Sequence, residues 1–323
     1  MKLADIYMNY QSDIVIIEQE LETAVKARHD VLRNASTHLL KAGGKRIRPV
    51  FVLLAAQYGN YDIHVLKHIA VPLELIHMAS LVHDDVIDDA ELRRGRKTVK
   101  SQWDNRVAMY TGDYIFGRAV ESSSYFSNME IHKILSYAML EMCIGEVEQI
   151  RDQYNLEQNL RVYLRRIKRK TALLIAVSCQ LGALAAETEP YVQKQLFQFG
   201  YYVGMSFQIT DDILDFVGTE KQLGKPAGED LRQGNVTLPA LYAMTRDKAI
   251  KQLIEDTLEP TDPKKAKMEP VLSAIKNSGG IEYATEVSDR YLKKAYKALA
   301  QLPDSKARQH FRDIAAYIGQ RKF

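Results

Sequence analysis

Apolar and polar residues alternate at the helical period along almost the whole chain. Ile14 to Ala27 places apolar residues three and four apart, and Val31 to Leu40 continues the pattern. Gly43 and Gly44 stop that helix, and Pro49 suits the first turn of the next, Val50 to Tyr58. Periodicity resumes from Ile63 to Asp89, where Pro72 marks either a new helix start or a kink. A helix from Ser101 to Met109 gives way at Tyr110-Thr111-Gly112-Asp113, which reads as a cap for Tyr114 to Phe126. Helices are expected at Glu130 to Ile150, Leu160 to Ala186, Tyr191 to Phe216 and Pro239 to Asp256, with short ones from Thr261 on. No β-branched run with a period of two appears. The pattern predicts an all-α fold, a single domain over 1–323 built as a helical bundle.

Composition narrows this only a little. With 46% hydrophobic and 26% charged residues the 323-residue chain is ordinary for a soluble globular protein. A net charge of +3 is too small to argue for nucleic acid. The N-terminus has no apolar segment of the signal-peptide kind. The longest apolar run, Ala172 to Ala186, is broken by Ser178, Cys179 and Gln180 and reads as a buried bundle helix. Cys143 and Cys179 suit reduced core thiols of a cytoplasmic protein.

The chemistry concentrates between His77 and Arg94. Asp84 and Asp88, four apart, share one helix face, and Asp85 lies close enough to help hold a divalent cation. A lone DDxxD is more often a solvated acidic helix end. Here it recurs as Asp211-Asp212-Ile213-Leu214-Asp215, a coincidence on the order of one in a thousand. An apolar run precedes each motif, so two acidic clusters at the mouth of a central apolar cavity are expected. Hard oxygen ligands of this kind suit Mg²⁺ that keeps water and shares a substrate diphosphate, about two or three ions per site.

Basic residues complete the pattern. Arg93 is placed to contact the same diphosphate, while Lys45, Arg48 and Arg94 suggest a second anion pocket. His77 lies two turns below Asp84 on the same face, although a lone histidine there is more often a core residue. Lys170 ends a basic run that is otherwise a solvated face, Thr171 follows it, and Gln208 precedes the second acidic motif by three residues. Lys225 sits in a glycine-rich loop, Thr219 to Thr237, long enough to be a lid.

Gly43 to Pro49 (GGKRIRP), the pattern from His77 to Gly95, Lys170-Thr171, Phe207 to Asp215 (FQITDDILD) and the GKPAGEDL loop together resemble the trans-isoprenyl diphosphate synthases. The resemblance covers nearly the whole chain. It implies an isoprenoid-synthase bundle in which Asp84, Asp85, Asp88, Asp211, Asp212 and Asp215 bind a Mg²⁺–allylic diphosphate complex. It implies that Lys45, Arg48, His77 and Arg94 hold isopentenyl diphosphate, and that Arg93, Lys170, Thr171, Gln208 and Lys225 act around the allylic substrate. In that family small residues such as Ala79 and Ser80, just before the first motif, leave room for a long product. Ile115 and Phe116 are candidates for a deeper stop, or ordinary core.

The segments DDAELRRGRKTVKSQWDNRVAMYTGDYI, LRVYLRRIKRKTALLIAVSCQLGA and YIGQRKF resemble the catalytic component of bacterial two-component heptaprenyl diphosphate synthases. This implies farnesyl diphosphate as primer, heptaprenyl diphosphate as product for the menaquinone side chain, and a small regulatory partner subunit. It also implies a cytoplasmic location, peripheral to the membrane during product release. The alternative is a homodimer with a hexaprenyl to octaprenyl product. A terpene cyclase or head-to-head synthase would not need GGKRIRP, and a regulatory subunit would have lost aspartates. A ferritin-like bundle would need a second ExxH besides Glu74 to His77.

Overall fold

The computed structural model describes residues 3–219, 226–258 and 267–319. Among them the chain is helical almost throughout: α1 Leu3–Asn9, α2 Gln11–Ala24, α3 Asp30–Lys41, α4 Ile47–Ala56, α5 Ile63–Ile87, α6 Val99–Gln102, α7 Asn105–Ser123, α8 Met129–Asp152 and α9 Leu160–Ile167. Then come α10 Leu173–Ala185, α11 Pro190–Val217, α12 Glu229–Arg232, α13 Leu238–Arg246, α14 Lys248–Leu258, α15 Glu269–Asn277, α16 Gly280–Ala300 and α17 Lys306–Gly319. The all-α expectation holds. The described residues form two compact units, one of Met1–Met139, Val177–Phe197 and Leu302–Asp313, the other of Leu140–Ala176, Gln198–Gln301 and Ile314–Phe323.

The first unit is built around α5, which packs on α2, α4 and α7. Asp62 caps α5 by accepting from His64 N at 2.8 Å. Pro72 neither begins a helix nor ends one. The α-helix runs through it, because burial of Leu66, Ile69, Leu73, Leu75 and Ile76 outweighs the one hydrogen bond proline removes. By length and composition α5 alone among the described helices could cross a membrane, but it is mostly buried and carries Glu74, His77 and Asp84. Phe51 of α4 stacks on Phe311 of α17 at 6.1 Å.

The Tyr110–Asp113 cap is not formed. Asp104 caps α7 instead, accepting from Val107 N at 2.7 Å, and the helix continues to Ser123. Gly112 sits inside the helix because a Cβ there would stand 2.3 Å from His83 Nε2. A second departure is a small hairpin, β1 Leu92–Arg93 against β2 Arg96–Lys97. Its two-residue loop, Arg94-Gly95, has φ of 54° and 73°, the two positive values a type I′ turn requires.

The second unit has its own core of Tyr163, Met205, Ile209, Phe216, Leu238, Ile254, Val271 and Ile275. The expected helix from Leu160 to Ala186 is interrupted by a π-helical turn at Lys168–Ala172. The expected helix from Pro239 to Asp256 is cut at Asp247, which is extended and accepts from Ala249 N at 2.8 Å, so it caps α14. Cys179 is buried, whereas Cys143 is exposed, contrary to the expectation of two core thiols.

Candidate active site

Two sets of charged residues lie in the first unit. The acidic set ends α5. Asp84 is half-buried, Asp85 is buried, and Asp88 is the C-cap, its N–H bonded to Asp84 O at 2.8 Å. Arg93 of the hairpin grips Asp85 with Nε at 2.8 Å and Nη2 at 2.7 Å. Burial raises the Asp85 carboxyl above its ordinary value, against the pull of Arg93. Asp84 Oδ1 is buried without a hydrogen-bond partner. A buried carboxylate oxygen with nothing donating to it suits a cation.

The basic set lies in a pocket lined by Arg46, Glu74, His77, Arg93 and Arg94. Arg46, which the sequence places with Lys45 and Arg48 in a loop favourable for an anion, braces two carboxylates instead. It begins α4 at φ 45° and bonds Glu18 (Nε, 2.5 Å) and buried Glu74 (Nη1, 3.2 Å). Glu74 therefore carries a guanidinium and serves the pocket wall, not an iron. Arg48 is buried and its Nε has no partner. Burial brings Arg48 down to about 10, with Glu74 opposing and Arg94 reinforcing, so it stays charged at neutral pH. His77 is pushed well below its ordinary value by burial and then by Arg48, Arg94, Arg93 and Arg46. It is a neutral imidazole among guanidiniums. Arg94 lies across Gly44, where a Cβ would meet Arg94 Nη1 at 2.8 Å. Lys45 is exposed on the same loop, its carbonyl accepting from the Tyr7 hydroxyl.

Below the acidic set, Ala79 is buried and Ser80 bonds His77 O at 2.8 Å. Ile76, one turn deeper on α5, lines a pocket of about 250 Å³, open to solvent on one side, with Ala119, Val120, Leu135 and Met139. Ile115 is fully buried and Phe116 tilts against His83 at 5.6 Å.

In the second unit Asp211 is half-buried while Asp212 and Asp215 are buried. Asp212 accepts from Tyr163 Oη at 2.6 Å and from Gln208 Nε2 at 2.8 Å. Gln208 Oε1 in turn accepts from the Thr171 hydroxyl at 2.7 Å. Burial, reinforced by Asp230, pushes Asp212 up to about 7 despite those donors. Asp215 accepts from Asp230 N at 3.2 Å and, through its carbonyl, from Gly228 N at 2.7 Å, so it anchors the loop into α12. Lys170, in the π-turn, bonds Glu146 at 2.7 Å and Gln149 at 2.9 Å on α8. π-turns cluster at functional positions. Sequence reading missed Tyr163, which had no local signal. Lys225 falls outside the described residues.

Among the described residues no three His, Cys, Asp or Glu side chains converge into a complete metal cage. The donors present are all hard carboxylates, one with a stranded oxygen and two, Asp85 and Asp212, whose charged form burial disfavours. They fit a divalent cation that takes its remaining ligands from water and a phosphate.

An all-α chain with acidic helix ends and a pocket lined by Arg46, Arg93 and Arg94 has the parts of an enzyme that handles diphosphates. It belongs to the polyprenyl synthetase family, whose model matches residues 29–275. It is 58% identical to heptaprenyl diphosphate synthase component 2 of Geobacillus stearothermophilus over the full length of both. It is 55% identical to the protein of the same name from Bacillus subtilis strain 168, covering all of this chain and 92% of that one. Among solved structures, heptaprenyl diphosphate synthase from Staphylococcus aureus superposes with a TM-score of 0.91 at 41% identity, over 96% of this chain and 98% of that one. A polyprenyl synthase from Caulobacter crescentus complexed with calcium and isoprenyl diphosphate gives 0.92 at 30% identity, over 98% and 97%.

Proposed function

We propose that this prenyltransferase condenses isopentenyl diphosphate successively onto farnesyl diphosphate and releases heptaprenyl diphosphate for a menaquinone side chain. The observation that carries the reading is in the first unit alone. The acidic end of α5 lies beside a basic pocket to which α5 contributes Glu74 and His77 and its neighbours contribute Arg46, Arg93 and Arg94, which is what two diphosphates of different fate require. A cyclase needs only the first.

Asp84, Asp85 and Asp88 of the first motif and Asp211, Asp212 and Asp215 of the second would hold Mg²⁺, about two or three ions, which would supply charge neutralisation to the departing diphosphate. Of these aspartates, Asp84, Asp88 and Asp211 are half-buried, while buried Asp85, Asp212 and Asp215 are already held by Arg93, by Tyr163 with Gln208, and by the Asp230 amide. Arg93 and Lys170, with Lys225, take up negative charge as the allylic C–O bond breaks and its electron pair leaves with the diphosphate. Arg48, Arg94, His77 and Lys45 hold isopentenyl diphosphate, whose double bond attacks the allylic carbon. A proton then leaves from the adjacent carbon to the departing diphosphate. The Thr171 hydroxyl and Gln208 carbonyl, fixed by the chain running to Asp212 and Tyr163, present preorganised dipoles to the cation. Apolar walls exclude water that would quench it.

The growing tail passes Ala79 and Ser80 toward the pocket beside Ile76. A small regulatory subunit is supported by the exposed apolar stripe on α8: Leu140 (63% exposed), Ile144 (43%), Val147 (67%) and Ile150 (47%). The enzyme works in the cytoplasm and touches the membrane when it delivers its product. Labelled isopentenyl diphosphate and farnesyl diphosphate, given to the purified chain alone and then with the partner, test this reading. Long-chain product only in the mixture is expected. Full long-chain activity from the chain alone overturns the heteromer in favour of a homodimer.

A further inference from the structure

The hairpin carrying Arg93 and Arg94 is too small to hold its own place. Each strand has two residues, and even longer isolated hairpins are marginal in water. An arginine at φ 54° persists only where its surroundings impose that conformation. The position of the two arginines must therefore come from contacts outside the hairpin. Its base is closed by Thr98, which bonds Glu91 O at 3.0 Å through N and Ala90 O at 2.8 Å through Oγ1.

Two further contacts reach a different element. Arg96 Nη1 donates to Lys41 O at 2.8 Å, and His38 Nε2 donates to Lys97 O at 2.7 Å. The carbonyl acceptor fixes the proton on His38 Nε2. Trp103 stands edge-on to the His38 ring, 5.5 Å between centroids, and holds its orientation. Lys41 is the last residue of α3, where helix carbonyls lack intrahelical donors and attract a guanidinium. The chain leaves α3 directly into the loop whose Gly44 lies against Arg94.

We propose that His38 and Arg96 are positioning residues of the basic pocket. They lock the hairpin to the end of α3, so that Arg94 keeps a fixed place against the loop carrying Gly44 and Lys45, which leads into Arg48 at the start of α4. Neither side chain lines the pocket itself. The proposal rests on the reading of that pocket as the isopentenyl diphosphate site.

The test is steady-state kinetics of the full chain, in whatever subunit form turns over, with each substrate varied separately. His38→Phe keeps the ring against Trp103 and removes the donor; Arg96→Met keeps the aliphatic stem. Each should raise KM for isopentenyl diphosphate about fivefold, the scale of one hydrogen bond. KM for farnesyl diphosphate, kcat and melting temperature should stay near wild type. His38→Gln and Arg96→Lys, which keep a donor, should restore KM. Arg94→Met is the reference. If it raises KM for isopentenyl diphosphate and the His38 and Arg96 variants do not, the positioning role is overturned while the pocket stands. If KM for both substrates rises while kcat and stability fall, the two residues merely support the fold and the proposal is likewise overturned. If Arg94→Met leaves that KM unchanged, the pocket reading fails and takes the proposal with it.

Discussion

Replacing Arg46 by Met should be among the most destabilising single changes in the basic pocket. The guanidinium is 7% exposed and bridges two carboxylates, Glu18 at 2.5 Å and Glu74 at 3.2 Å. The two halves are unequal. The Glu18 side chain is 36% exposed, so losing that pair costs at most about 1 kcal/mol. Glu74 is only 4% exposed, and stripping its partner leaves a buried charge, a loss of roughly 3–5 kcal/mol. In a chain this long that corresponds to a fall in Tm of very roughly 6–10 °C. Adding Glu74→Gln removes the stranded charge and should recover more than half of the loss. The coupling in a double-mutant cycle should therefore exceed about 1.5 kcal/mol. Denaturant or thermal unfolding of the four proteins measures it. A loss below about 1 kcal/mol for Arg46→Met, or strictly additive costs, refutes the claim that the pocket wall is a buried ion pair.

Three other expectations follow from named contacts. Tyr163→Phe removes the 2.6 Å donor to buried Asp212 and should cost about 2 kcal/mol, read by unfolding; a loss under about 0.5 kcal/mol means the bond does not support that carboxylate. His77 is held below its ordinary value, so the unfolded chain binds its proton first as pH falls. Stability should therefore drop below pH ~6.5, by at most ~1.4 kcal/mol per pH unit from this group. His77→Gln should flatten the slope, and an unchanged slope contradicts the neutral imidazole. Ala79→Tyr should shorten the products seen by chromatography, because it fills α5 between the acidic set and the pocket at Ile76. An unchanged product length would remove Ala79 from the tunnel.

What could be read in the sequence was what is written locally. Both acidic motifs and the helices beneath them are periodic over two or more turns, and so is the apolar face of α5. The hairpin escaped notice because two-residue strands carry no period and because Arg-Gly, not Asn-Gly, forms its turn. Thr111-Gly112-Asp113 imitates a helix boundary, but its glycine answers to His83 on another helix. Tyr163 gave no signal since its partner, Asp212, comes 49 residues later. Arg46 was hidden in a run of basic residues, where composition cannot separate a ligand-facing guanidinium from one that braces Glu74. The π-turn at Lys168–Ala172 has no sequence mark of its own.

The central claim is that Asp84 and its neighbours hold the metal–diphosphate complex of a chain-elongating prenyltransferase. Mass analysis of the lipid formed from farnesyl diphosphate, isopentenyl diphosphate and Mg²⁺, with the partner subunit present, tests it most directly. The expected result is a ladder of all-trans products ending at heptaprenyl diphosphate, lost on chelation and cut at least about a hundredfold by Asp84→Asn. Condensation that proceeds at full rate without divalent metal, or survives Asp84→Asn intact, would contradict it.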